Sequence, residues 1–243
     1  MRRIGLLLVA AVVVATPAGA APRDLGRDLY IQGCISCHGK DARGVERSGP
    51  ARGTGEVQGA GPSLVGVGAM AADFYLRTGY MPLGRADAQP HRKPTPYTER
   101  QLDALVAYIG SLGGPPVPKV RPERGNLSEG LRLFTESCAG CHQIAGEGGI
   151  VTGAVAPSLR NATPTQIAEA VRVGPYVMPR FPESQLSDRQ LDSIVRYVLD
   201  ARDPNDRGGW GIGHLGPVPE GIVAWLLAGG VLIAVIRLIG ARG

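Results

Sequence analysis

The chain has 243 residues, of which 36 are glycine, 20 are proline and only 5% are aromatic. This composition favours two small domains over one large core. The formal net charge is +5, but four of the 26 basic residues flank apolar segments at the two ends, and the other 22 nearly balance the 21 acidic residues. No basic run is left to favour nucleic-acid binding. The four flanking residues are Arg2, Arg3, Arg237 and Arg242.

The N-terminus has the pattern of a secretory signal peptide. Two arginines precede an apolar run over residues 4–15, and an Ala-X-Ala sequence ends at Ala20. This pattern predicts a signal peptide over residues 1–20 that is cleaved after Ala20. An uncleaved anchor is the alternative, although the run is shorter than the roughly 20 residues of a spanning helix. Both interpretations imply export of the domains that follow.

One pentapeptide pattern occurs twice, as Cys34-Ile-Ser-Cys37-His38 and as Cys138-Ala-Gly-Cys141-His142. It is the signature of c-type haem attachment. On a helix, a first Cys, a second at i+3 and a His at i+4 share one face, so one short helix can hold a porphyrin through two thioether bonds and present an imidazole to its iron. We therefore predict two covalently bound haem c groups, with cofactor-binding Cys34, Cys37, Cys138 and Cys141 and axial iron ligands His38 and His142.

Three other uses of these cysteines fit the two motifs less well. A thioredoxin-like Cys-X-X-Cys belongs in a βαβ unit and does not require the trailing His. A zinc site built from four thiolates leaves both adjacent histidines without a role. Two disulfides explain neither histidine.

The chain repeats itself beyond these motifs. Gly26–Tyr30 precedes the first motif as Gly130–Phe134 precedes the second, and Thr98–Ile109 is matched by Ser187–Val198 at six of twelve positions. Such self-similarity indicates an internal duplication. The spacing of leucine, isoleucine and valine in the later pair predicts an amphipathic helix at the end of each repeat, packed on its own haem-binding helix.

The repeat divides the chain into two domains, predicted over residues 24–113 and 126–203. Residues 114–125 are rich in proline and predict an extended, semi-rigid linker. Residues 46–61, rich in glycine and without a match in the second repeat, predict a solvated surface loop.

Each iron held by one His needs a sixth ligand, and the repeat indicates a methionine. Arg77-Thr-Gly-Tyr-Met81-Pro82 aligns with Arg172-Val-Gly-Pro-Tyr-Val-Met178-Pro179, so Met81 and Met178 occupy matching positions. A thioether opposite an imidazole stabilises reduced iron and raises the potential. We predict Met81 and Met178 as the second axial ligands.

Other candidate ligands remain open at this point. Met70 competes with Met81 but lies in an apolar helical stretch and lacks the Met-Pro context. His91, in a proline-rich loop, would give a bis-His first haem. His214, near the C-terminal apolar segment, is interpreted as an exposed loop residue.

The C-terminal segment is predicted to span a membrane. Gly221–Ile236 carries no charge, and with its flanks the helix predicted over residues 218–240 is long enough to cross a bilayer. Arg237 and Arg242 follow it, which predicts a single-pass protein with a cytoplasmic C-terminus and extracytoplasmic haem domains. Residues 204–217 form the juxtamembrane segment, and Ala228-Gly229-Gly230 would allow close approach of another membrane helix.

These features resemble class I cytochrome c domains in tandem. The resemblance is carried by the two haem motifs, the Met-Pro loops, and Gly61-Pro-Ser-Leu64 and Ala156-Pro-Ser-Leu159. It implies an all-α fold of two such domains plus one C-terminal transmembrane helix. It also implies that the carbonyls of Pro62 and Pro157 accept a hydrogen bond from the proximal histidines, which fixes their orientation.

The whole arrangement resembles the dihaem cytochrome c subunit of the actinobacterial menaquinol:cytochrome c reductase. That resemblance implies electron transfer from a Rieske iron-sulfur protein to a haem-copper oxidase, with a cytochrome b subunit as a further partner and no catalytic residue in this chain. Open alternatives are a stand-alone membrane-tethered dihaem carrier and a cytochrome subunit of another periplasmic dehydrogenase. A dihaem peroxidase or thiosulfate dehydrogenase would need an open or unusually ligated iron.

Overall fold

A computed structural model of the protein describes residues 22–45, 61–83, 88–202, 204 and 217–241. The predicted signal peptide, residues 46–60 of the predicted loop, most of the juxtamembrane segment with His214, and Arg242 lie outside these described residues. Nine α-helices, one 3₁₀ helix and two strands are described: α1 Pro22–Gly33, α2 Ile35–His38, α3 Gly68–Arg77, α4 Glu99–Ser111, the 3₁₀ helix Pro122–Arg124, α5 Leu127–Ser137, α6 Ala139–His142, β1 Gly149–Val151, β2 Ala154–Ala156, α7 Pro164–Val173, α8 Asp188–Arg202 and α9 Pro217–Gly240.

The internal contacts divide the chain into two compact units. The first comprises Met1–Val120, Thr152–Ala154 and Ala162–Ser187, and the second comprises Arg121–Val151, Val155–Asn161 and Asp188–Gly243. Helix α7 packs on α3, which places it with the first unit although the repeat assigns it to the second domain. The domain boundaries drawn from the repeat therefore stay a prediction.

In the first unit, α1 crosses α4 at a glycine. A Cβ atom on Gly26 would lie 2.0 Å from the carbonyl oxygen of Ala104, so only a residue without a side chain permits this approach. The rings of Tyr30 and Tyr108 pack 5.3 Å apart beside the crossing. Helix α4 begins at a capping box formed by Thr98. Its predicted apolar face is confirmed as buried, at Leu102, Leu105, Val106 and Ile109.

The second unit repeats this crossing with α5 and α8. A Cβ atom on Gly130 would lie 2.0 Å from the carbonyl oxygen of Ser193, and the rings of Phe134 and Tyr197 lie 5.2 Å apart. The predicted apolar face of α8 is buried as well, at Leu191, Ile194, Val195 and Val198. In each repeat, the helix before the haem motif therefore packs closely, at its glycine, against the backbone of the repeat's last helix.

The segment between the repeats is attached to the protein at both ends. The Pro115 carbonyl accepts a hydrogen bond from the amide of Met70 at 3.2 Å, and the Arg121 amide donates to Asp192 Oδ1 at 2.7 Å. Proline supplies no amide donor but keeps its carbonyl, which allows an extended segment to bind neighbouring donors.

The structure is mainly helical, as predicted, and adds one small sheet. Strands β1 and β2 form a two-stranded sheet between the second haem motif and Pro157. At three residues each, the strands are too short to give a periodic signal in the sequence.

Helix α9 contains a stretch, Gly221–Gly240, of 20 residues with a mean hydropathy of 2.5. Its large side chains are exposed, Trp225 to 81%. In length and composition the helix fits a membrane anchor, because an apolar surface of this kind is stable only when lipid or protein covers it.

Candidate haem sites

The first haem motif forms one short helical turn. The carbonyl oxygen of Cys34 accepts hydrogen bonds from the amides of Cys37 at 3.2 Å and His38 at 2.9 Å. Helix α2 then ends at Gly39, which has a φ of +77°. The positive φ is a conformation that glycine adopts without strain, and it turns the chain away directly after the histidine.

A cavity of about 720 Å³, counting the space at its open mouth, lies beside this turn. Its lining includes Cys34, Cys37, His38, Met81 and Tyr97. The structure thus brings four of the predicted site residues to one cavity, although they are separated by up to 47 positions in the sequence. The competing ligands lie elsewhere: Met70 is buried within α3, and the exposed His91 is not among the residues that line the cavity.

The imidazole of His38 is held by a backbone carbonyl. Its Nδ1 lies 2.8 Å from the Pro62 oxygen, and because a carbonyl only accepts, Nδ1 carries the hydrogen. This contact engages Nδ1 and leaves Nε2 as the ring nitrogen that can face a metal. The expected histidine–proline contact is confirmed in the first repeat.

Gly61 allows the Pro62 loop to approach the motif. Its amide donates to the Cys37 carbonyl at 2.9 Å, and a Cβ atom there would lie 2.4 Å from that same oxygen. In the second repeat the matching residue is Ala156, which ends strand β2. The substitution of alanine for glycine therefore coincides with a different local backbone.

The second motif has the same histidine contact. His142 Nδ1 lies 3.1 Å from the Pro157 oxygen, so this expectation too is confirmed. The ring is 8% exposed, and burial lowers the pKa of His142 while the Pro157 hydrogen bond opposes that shift. A neutral imidazole with Nδ1 protonated results, which suits iron ligation at Nε2.

Matching backbone bonds hold the proline loops of both repeats. The amide of Leu64 donates to the Ala42 carbonyl at 2.8 Å, and the amide of Leu159 donates to the Gly146 carbonyl at 2.8 Å. In each repeat the loop after the motif is thereby tied to the loop that orients the histidine.

The first thiol of each motif differs from the thiols of redox-active or zinc-binding cysteines. None of the four cysteines forms a disulfide bond. Burial, followed by the charge of the neighbouring cysteine, raises the pKa of Cys34 to about 11 and that of Cys138 to about 11. Thioredoxin-like and zinc-binding cysteines have lowered pKa values instead. Among the described residues, which include all four cysteines, no three His, Cys, Asp or Glu side chains gather as a metal site.

Two tyrosine hydroxyls hold the chain just after each motif, and sequence reasoning did not identify them. Tyr30 donates to the Gly39 carbonyl at 2.6 Å, and Tyr197 donates to the Ile144 carbonyl at 2.7 Å. The donors do not occupy matching positions, since Tyr30 aligns with Phe134 and comes from the helix before the motif. The equivalence of the two tyrosines is therefore visible only in their hydrogen bonds and not in the sequence alignment of the repeats.

Met178 follows α7 in the segment Ala162–Ser187, which belongs to the first unit, whereas His142 belongs to the second. The thioether is partly exposed, and the amide of Met178 donates to the Pro175 carbonyl at 3.0 Å. Its pairing with His142 on one iron stays a prediction.

Comparison with known proteins follows this division into two repeats. The family model "Cytochrome c" matches residues 24–113, and the model "Cytochrome C oxidase, cbb3-type, subunit III" matches residues 125–198. A cytochrome bc1 complex cytochrome c subunit from Mycobacterium tuberculosis is 37% identical over 241 residues, which cover 95% of this chain and 82% of the relative. One from Corynebacterium diphtheriae is 36% identical over 89% of this chain and 80% of the relative.

The chain belongs to the family of cytochrome bc1 complex cytochrome c subunits. It is a c-type cytochrome with covalently bound haem c, and its two cytochrome c domains correspond to two haems. A more distant relative, the cbb3-type cytochrome c oxidase subunit CcoP of Rhodobacter capsulatus, is 30% identical over 40% of this chain and 32% of its own length. The fold class and the family resemblance drawn from the sequence are confirmed.

The described residues of the first site fit a haem group. The thiols of Cys34 and Cys37 and the imidazole of His38 line the cavity, and Met81 supplies a soft sulfur to the same lining. Nitrogen and thioether donors are the pair that low-spin haem iron takes in cytochromes c.

Proposed function

We propose that this chain is the membrane-anchored dihaem subunit of a menaquinol:cytochrome c reductase. In this role it takes electrons from the Rieske iron-sulfur protein, associates with a cytochrome b subunit and passes electrons to a haem-copper oxidase. The observation that carries the proposal is the similarity to subunits named for the cytochrome bc1 complex, over nearly the whole chain. The apolar helix α9 supports it, because a subunit of a membrane complex needs a membrane segment.

The residue roles follow from the motif geometry. Cys34 and Cys37 would form the thioether bonds of the first haem, and Cys138 and Cys141 those of the second. His38 with Met81, and His142 with Met178, would be the axial ligands. When bound, haem supplies a one-electron iron couple whose potential depends on these ligands.

The protein's own contribution is to hold ligands still. Pro62 and Pro157 fix the histidine rings, and the Tyr30 and Tyr197 hydroxyls fix the chain after each motif. Electron transfer is fast when little moves between oxidised and reduced states, so rigid ligand support is the chemistry that this fold provides.

Co-purification tests the assignment to a complex. The full chain, tagged at its C-terminus and extracted in mild detergent, should retain a cytochrome b and a Rieske protein, and a menaquinol analogue should reduce its haems. Isolation of the chain alone, with haems that a different dehydrogenase reduces, would favour the stand-alone carrier or another periplasmic system. The predicted cytoplasmic C-terminus is tested in intact cells, where the tag should resist added protease and the haem domains should not.

Substitution of Met81 by histidine tests the first ligand set. We expect Met81→His to lower the potential of one haem while both haems stay attached, because nitrogen stabilises ferric iron better than a thioether does. Met70→Leu is the matched control, since Met70 lies in the same repeat but away from the cavity. Two unchanged potentials in Met81→His would remove Met81 from the ligand set.

A further inference from the structure

The loop that carries Met178 leaves α7 through a tight turn. We define the Met178 loop as residues 175–186. Gly174 precedes it with a φ of +65°, and a Cβ atom there would lie 2.8 Å from the Arg180 amide nitrogen. The Phe181 amide donates back to the Val171 carbonyl at 2.9 Å. The loop thus folds back against the end of the helix from which it came.

A single buried cation bridges the two halves of this loop. Arg172 is 8% exposed, and its Nη1 donates to the carbonyl oxygens of Phe181 at 3.0 Å and Leu186 at 2.6 Å. Hydrogen bonds from a charged donor are stronger than those between neutral groups. Burial of a guanidinium is costly unless such bonds offset the loss of water, so these contacts fix the loop as well as satisfy the arginine.

The matching arginine of the first repeat binds different groups. Arg77 donates to Asp73 at 2.8 Å, to Asp103 at 2.5 Å and to Glu99, which are carboxylates of α3 and α4. Among the described residues, the side chain that holds the Met81 segment is Lys93, whose Nζ donates to the Pro82 carbonyl at 2.6 Å. The two repeats therefore support their methionine loops with different cations, at positions that do not align.

We propose that Arg172 is the positioning residue for the Met178 ligand, holding the Met178 loop in the place where its thioether reaches iron. This rests on the proposed role of Met178 as an axial ligand. A ligand on a loop has to be held to within about 0.5 Å by neighbours that are themselves fixed. Arg172 provides that support from inside the fold, and Arg77 does not provide it for Met81.

The experiment uses the full chain with both haems attached, in detergent. Arg172→Gln removes the charge and the Nη1 atom that donates both bridging bonds, and Arg77→Gln is the matched control from the other repeat. The readouts are the thioether-to-ferric-iron absorption band, the two redox potentials, and hydrogen exchange over residues 175–186. Met178→His serves as the reference that identifies which potential belongs to the second haem.

We expect Arg172→Gln to lose one haem's share of the thioether band and to lower the same potential that Met178→His lowers. Exchange in the Met178 loop should quicken at least about tenfold, because loss of even one charge-assisted bond would account for that change. Arg172→Lys, which keeps charge and donors, should restore most of the band. Arg77→Gln should leave the band and both potentials unchanged.

The experiment distinguishes failure of the ligand assignment for Met178 from failure of the positioning role of Arg172. If Met178→His leaves both potentials unchanged, the ligand assignment in the proposed function fails. If Met178→His lowers one potential but Arg172→Gln leaves band and potentials unchanged, the positioning role is wrong and Arg172 only stabilises the fold. If neither Arg172 variant yields folded protein, Arg172 is a general folding residue and the proposal is overturned as well.

Discussion

Glu169 on α7 predicts a dependence of stability on pH. Its side chain is 0% exposed, and within the described structure neither carboxylate oxygen has a hydrogen-bond partner. Burial, followed by the charge of the nearby Asp73 carboxylate, raises the pKa of Glu169 from 4.5 to about 9, while Arg77 acts in the opposite direction. Glu169 is therefore protonated in the folded protein at neutral pH.

The direction of this pH dependence follows from the number of protons bound in the folded and unfolded states. Between pH 4.5 and 9 the folded protein holds a proton on Glu169 that the unfolded chain has released, so the free energy of unfolding falls as pH rises. The full contribution is present below pH 4.5 and is lost as pH approaches 9. Each pH unit corresponds to about 1.4 kcal/mol, so the step from pH 5 to pH 8 removes about 4 kcal/mol.

Glu169→Gln keeps the shape of the protonated acid and cannot ionise. The free energy of unfolding of Glu169→Gln minus that of wild type should be about 4 kcal/mol larger at pH 8 than at pH 5, because only wild type loses stability over that range. Urea titrations followed by circular dichroism at both pH values measure this difference. Glu136→Gln, an exposed glutamate paired with Arg132, is the control and should show little change. An equal effect of Glu169→Gln at pH 5 and pH 8 would refute a protonated, buried Glu169.

Two further predictions concern packing and hydrogen bonding. Gly130→Ala should destabilise the second unit by about 3 kcal/mol and lower the yield of haem-loaded protein, because the added carbon collides with a backbone carbonyl of α8. The control, Glu136→Ala on the exposed side of the same helix, should have neither effect. Equal yields and equal urea midpoints for the two variants would contradict this prediction. Tyr197→Phe should cost about 1 kcal/mol in urea unfolding through loss of its bond to Ile144, with both haems retained, and an unchanged midpoint would show that the bond contributes nothing.

The haem motifs could be predicted from short-range geometry, whereas their histidine supports were expected only from a resemblance. Spacing along one helical turn places two thiols and an imidazole together, and the proline loop was found through the family resemblance. The buried faces of α4 and α8 were predictable for the same reason, since a period of 3.6 residues is visible in a single sequence.

Features that depend on contacts between distant segments could not be predicted. Gly26 and Gly130 were visible as repeated residues, but their role appears only where another helix backbone approaches them. The packing of α7 on α3 and the burial of Glu169 leave no periodic pattern of their own. Arg77 and Arg172 align in sequence yet bind different partners, so alignment alone gives them one role where the structure gives two.

The tyrosine that holds the chain after the haem motif comes from the first helix in one repeat, as Tyr30, and from the last helix in the other, as Tyr197. This difference limits which helices of the two repeats are interchangeable. A chimera that received α5 in place of α1 would bring Phe134 to the position of Tyr30 and lose the Gly39 bond, although the two helices share their crossing glycine. The two repeats thus share their helix crossings but differ in the side-chain hydrogen bonds that support them. Protein engineers who wish to transplant either half would have to move its first and last helices as a matched set.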